Sequence, residues 1–100
     1  MATGFPDYQS RAFTSAENFE QVKITAVAGD NTGTFAQEVK SFWLFNTGPN
    51  PIHINFNAAA TANTAEIPAK SWSFIDLKVT VVHAFLAATH TATVYLIGFY

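Results

Sequence analysis

Three histidines, His53, His83 and His90, and seven carboxylates are the side chains best suited to chemistry, and no cysteine stands with them. His83 and His90 could meet across the turn at Ala87-Ala-Thr89 if the segments flanking it pair. A catalytic zinc wants three protein ligands and a structural one wants four. No third ligand stands at a matching spacing, so neither a metal nor another cofactor is expected. Asp7, Glu17, Glu20, Asp30, Glu38, Glu66 and Asp76 show no short repeated spacing that would put two carboxylates on one face as an acid–base pair. Asp76, between Ile75 and Leu77, suits a turn cap through local backbone hydrogen bonds. A Gly-rich phosphate loop and a Gly-x-Ser-x-Gly nucleophile motif are both absent. The sequence reads as a non-enzyme.

A second pattern suits binding more than reaction. Ile52, Ile54 and Phe56 alternate with His53, Asn55 and Asn57, which gives an extended segment one core face and one polar face. That imidazole and amide row, with Trp72 or Trp43 supplying a stacking ring, is the candidate site for a sugar. The competing reading is a solvated sheet face, or a polar patch that meets a subunit.

The elements that must position these groups are strands. Ser41–Asn46, Ile52–Phe56, Ser71–Ile75, Val79–Phe85 and Thr91–Tyr100 are rich in β-branched and aromatic residues and are separated by Gly, Pro, Asn and Thr. Phe19–Ala28 alternates Val22, Ile24 and Ala26 with Gln21, Lys23 and Thr25, and the cluster Gly29-Asp-Asn-Thr-Gly33 reads as the turn that closes it. A further strand is expected from about Thr34 to Phe45, with a bulge or break at Lys40-Ser41 where the alternation loses phase. The prolines of Asn46-Thr-Gly-Pro-Asn-Pro51 predict a turn. Ala58–Ala65 reads as a small-residue loop despite its alanines, followed by a short extended piece and a turn at Glu66–Lys70. Around Val79–Leu86 and Val94–Phe99 both faces are apolar, so both must be covered. The fold expected is an all-β antiparallel sandwich, jelly-roll-like, over residues 19–100. Residues 1–18, punctuated by Gly4, Pro6, Asp7 and Ser10, read as an extended N-terminal arm.

Composition narrows the partners. One domain is expected from 100 residues. Charged residues make up 12% of the chain, against about 25% in an average domain, while aromatics reach 15%. Some of those rings are expected at a protein interface, or else in a Phe-rich core. Arg11, Lys23, Lys40, Lys70 and Lys78 form no basic stripe in a chain of net charge −2, which disfavours nucleic acid. Met1–Asp7 lacks a basic segment followed by an apolar one, and no apolar run approaches 18 residues, so neither signal-directed export nor a membrane partner is expected.

The runs Phe45–Asn57, Ile67-Pro-Ala-Lys-Ser-Trp-Ser-Phe-Ile-Asp-Leu77, Val82-His-Ala-Phe85 and Thr91-Ala-Thr-Val-Tyr-Leu-Ile-Gly98 resemble small β-sandwich structural proteins of tailed bacteriophage virions. The resemblance covers about residues 42–100 and is a pattern of turns and strands. Similar chains commonly place Gly after Ile-Pro-Ala, where this one has Lys70. The resemblance implies a capsid decoration (cement) subunit, or a tail or head–tail adaptor component, located in the virion and assembled in the host cytoplasm. It further implies a homo-oligomer, taken as a trimer, that clamps the major capsid protein. Phe5, Tyr8 and Phe13 on the arm, with Phe99 and Tyr100 at the other end, are the expected contacts. From a different class, a carbohydrate-binding β-sandwich module would use His53, Asn55, Asn57 and Trp72.

Overall fold

A computed structural model describes residues 18–100. Eight strands follow one another: β1 (Phe19–Ala26), β2 (Gly29–Val39), β3 (Ser41–Pro49), β4 (Ile52–Phe56), β5 (Ala65–Ile67), β6 (Ser71–Ile75), β7 (Val79–Leu86) and β8 (Ala92–Phe99). They form two four-stranded sheets, β1-β8-β3-β6 and β2-β7-β4-β5. Every pairing is antiparallel. Eight antiparallel strands in this double-sheet order make a jelly roll, as the sequence pattern anticipates.

The alternating pattern explains why the sheets stack. On β3, Phe42, Leu44 and Asn46 are buried while Trp43 and Phe45 are only half-buried; on β8, Val94 and Leu96 are buried and Tyr95 is exposed. The inward sets meet between the sheets, where Phe42 of β3 packs against Phe35 of β2 and Phe56 of β4 at ring-centroid distances of 6.1 and 5.7 Å. Close approach depends on a glycine from each sheet. A Cβ at Gly98 of β8 would lie 2.6 Å from Val39 Cγ1, and one at Gly33 of β2 would lie 2.8 Å from Ile24 Cγ1. Side chains at these points would hold the layers apart.

Several expected boundaries move. Gly29–Gly33 is the start of β2, not a turn, and pairs in register with Leu86 back to Val82 of β7. Its turn-rich composition serves other ends. Asn31 Nδ2 donates to the carbonyls of Val27 (2.7 Å) and Ala84 (3.2 Å), and Val27 N–H donates to Asn31 Oδ1, so this side chain braces the crossing from one sheet to the other. The phase loss at Lys40 is a second such crossing: β2 ends at Val39 and β3 begins in the opposite sheet at Ser41. The turn expected over Asn46–Pro51 is shorter, because β3 runs on to Pro49, which pairs with Ala92 beyond an irregularity in the ladder. Proline is tolerated at such a bulge, where no ladder donor is required. Ala58–Thr64 forms a loop, as expected.

Lys70 carries φ 58, in the left-handed region where a side chain costs about 1–2 kcal/mol and glycine is at ease. Lys70→Gly is therefore expected to stabilise the fold by about 0.5–1 kcal/mol. The midpoint of a urea titration should rise accordingly, and a lowered midpoint would contradict the strain assigned to this turn.

Candidate interaction face

Period-two alternation points every second side chain of the β1-β8-β3-β6 sheet away from the core. On this sheet half of those residues are aromatic: Phe19, Trp43, Phe45, Trp72, Phe74, Tyr95 and Phe99. The register sets Phe19 beside Phe99, Trp43 between Ile97 and Phe74, and Phe45 between Tyr95 and Trp72. Trp43 lies 5.2 Å from Trp72, 5.0 Å from Phe74 and 6.2 Å from Phe45, centroid to centroid, so the rings form one continuous cluster across β3 and β6. Trp72 is 64% exposed and Phe19 60%. Between them lies a hollow of about 560 Å³ lined by Phe19, Trp43, Phe45, Trp72, Ile97 and Phe99. No polar side chain lines it. At the rim, Lys23 Nζ stands 5.9 Å from the centroid of Tyr95.

Single exposed apolar residues on a soluble domain need no explanation, but a contiguous patch of rings marks a surface that contacts something. Among the described residues the hollow is lined by five aromatic side chains and Ile97, with Gln21, Lys23, Thr47 and Tyr95 lining an adjoining hollow that shares Phe45 and Ile97. Its capacity is apolar association, worth about 25 cal/mol for each Å² removed from water.

The polar row expected to bind a sugar is put to other use. His53 and Asn55 lie on β4 and Trp72 on β6, in different sheets, so the row and the ring do not share a surface. His53 Nδ1 donates to the Thr64 carbonyl at 2.8 Å and Asn55 Nδ2 donates to the Ala59 carbonyl at 3.0 Å. Asn57 Oδ1 accepts from the backbone N–H groups of Thr80 (3.2 Å) and Val81 (3.1 Å). These side chains fasten the 57–64 loop to the sheet, and bonds already made to backbone are not free for ligand hydroxyls. His83 is likewise engaged, through Nδ1 with the Asp30 carboxylate at 2.8 Å. Among the described residues no three metal-ligating side chains gather.

Of the expected contact residues, Phe99 lies on the aromatic face and lines its hollow. Tyr100 turns the other way and packs partly buried against the core, while its backbone exchanges two hydrogen bonds with Asn18 at 2.9 and 3.0 Å. Phe5, Tyr8 and Phe13 fall outside the described residues. Sequence reasoning missed Phe19, Phe45, Phe74 and Tyr95 as members of one face, and saw Trp43 only as a ring for the polar row. Alternation within Ser41–Asn46 already separates Trp43 and Phe45 from Phe42 and Leu44, but the pairing that gathers four strands' rings is non-local. No known family model matches the chain, and no curated protein matches it.

Proposed function

We propose that this chain is a structural virion protein: a capsid decoration subunit that self-associates, as a trimer, and stabilises the shell by binding the major capsid protein. The observation that carries this reading is the aromatic cluster on the outer face of the β1-β8-β3-β6 sheet, with an apolar hollow beside it, a surface suited to contact. The jelly-roll order adds a fold-level analogy, since viral capsid domains are among the proteins that use it. Low charge and the resemblance of residues 42–100 to virion proteins point the same way.

Lectin domains use jelly rolls too, but a sugar needs hydrogen-bond partners beside a stacking ring. The aromatic hollow is lined by five rings and Ile97, and its nearest polar partners, Gln21, Lys23, Thr47 and Tyr95, line the hollow beside it, so the carbohydrate-binding reading ranks second. Antibody against the chain, imaged on particles whose genome encodes it, is expected to label heads in many copies. Label confined to the tail would replace the decoration role by that of a tail or head–tail adaptor component. Particles without label would overturn the virion reading altogether.

A further inference from the structure

We infer that the outward aromatic face of the β1-β8-β3-β6 sheet is a docking surface for a second copy of this chain. A contact of this face with the same face of another copy is two-fold, so it is a second association besides the trimer of the virion reading and does not rest on that reading. Area, shape and charge together select the occupant.

Phe19, Trp72, Phe74 and Tyr95 are 60%, 64%, 46% and 42% exposed. With aromatic side chains presenting on the order of 150–250 Å² each, these four and their half-buried neighbours leave roughly 600 Å² in water. Two such faces would together withdraw roughly 1,200 Å², which reaches the size class of specific, stable interfaces. The shape is complementary to itself. The most exposed rings stand on the two edge strands, Phe19 on β1 and Trp72 on β6, and the hollow of about 560 Å³ lies between them. Two copies related by a two-fold rotation would meet through the same patch, each bringing its exposed edge rings against the other's apolar face, which is an isologous contact.

Charge excludes little and attracts nothing. Lys23 is the single charged residue that the register places on this face, and it stands at the rim beside Tyr95. Two copies therefore meet without opposed like charges at the centre, and a partner recognised by charge finds nothing here to read. The core covers one side of this sheet, and another copy's aromatic face fits the other.

Trp43 and Trp72 are the chain's two tryptophans, and both lie on this face, so intrinsic fluorescence reads its burial directly. Light scattering on the full chain over a concentration series should show an oligomer that dissociates on dilution, with tryptophan emission moving to longer wavelength in step. Phe19→Ser with Trp72→Ser should weaken association at least tenfold while circular dichroism and the unfolding midpoint report an intact fold, because both side chains are largely exposed. A wild-type monomer at every concentration would overturn the proposal, as would undiminished association of the double variant. Full-length chain with Phe5, Tyr8 and Phe13 changed to Ser should associate as wild type does. Association appearing only in that variant would mean that the chain's own N-terminal residues hold the face, and would overturn the proposal as well. Particle labelling is a separate readout: a chain that associates through this face but is absent from particles would refute the virion role and leave the docking surface standing.

Discussion

Asn46→Ala is expected to lower the stability of the fold by about 3–5 kcal/mol, an exceptional loss for one small polar side chain. Asn46 is 1% exposed, the one buried polar or charged residue among those described. Its Nδ2 lies within hydrogen-bond distance of three carbonyl oxygens, those of Asn50 (3.1 Å), Ile67 (3.1 Å) and Pro68 (3.2 Å), and its Oδ1 accepts from Gly48 N–H at 2.9 Å. Removing the amide strips these part-buried carbonyls and the buried Gly48 N–H of a partner, and each group orphaned away from water costs about 1–3 kcal/mol.

The change would also reach the aromatic face. Ile67 and Pro68 lead directly into β6, which carries Trp72 and Phe74, so the same amide that closes the end of β3 holds the entry to the edge strand. Asn46→Asp is a sharper version of the same test. It sets a carboxyl oxygen where three carbonyls expect a donor, which disfavours ionisation and raises its folded-state pKa above the ordinary value of about 3.9. A group raised in the folded state contributes its stability below the unfolded pKa and loses it as pH climbs through the folded one. The midpoint of this variant should therefore fall between about pH 4 and pH 7 relative to wild type. Equal midpoints for wild type and Asn46→Ala in urea would refute the bracing role.

Much of the architecture can be read from the strands themselves, because alternation and β-branched content are local. Ser71–Ile75 is a strand at the expected residues, and the segments around Val79–Leu86 and Ala92–Phe99 lie within one residue of expectation at each end. What composition mistook for punctuation was tertiary. Gly33 is required by the approach of Ile24 from the facing sheet, and Asn31 by a crossing that it braces with its side chain; neither reason exists within the pentapeptide that reads as a turn. The polar row of β4 was legible as a row and illegible as a set of loop braces, since Asn57 finds its partners at Thr80 and Val81. The aromatic face shows the same division. Each strand declares its own two faces, but only the order β1-β8-β3-β6 brings Phe19 beside Phe99, at opposite ends of the described chain.

Phe42→Ala should destabilise the chain by about 3–5 kcal/mol and lower its thermal midpoint by roughly 15 °C or more. Phe42 is fully buried, and its ring joins Phe35 and Phe56 across the two sheets, so truncation leaves a cavity bounded by rigid rings that cannot collapse to fill it. Phe42→Leu keeps most of the volume and should cost less than half as much. The residue also bears on association, since Phe42 and Leu44 pointing inward is what turns Trp43 and Phe45 outward on the same strand. If a second copy binds only the folded chain, part of the lost stability is recovered at high protein concentration, by an amount set by mass action. The midpoint of Phe42→Ala should then rise with concentration, whereas that of the Phe19→Ser, Trp72→Ser chain should not. A concentration-independent midpoint for Phe42→Ala, with wild-type association intact, would show that the truncated core no longer presents the aromatic face to a second copy. A cluster gathered from four strands, two of them at opposite ends of the described chain, depends on the core that sets those strands side by side.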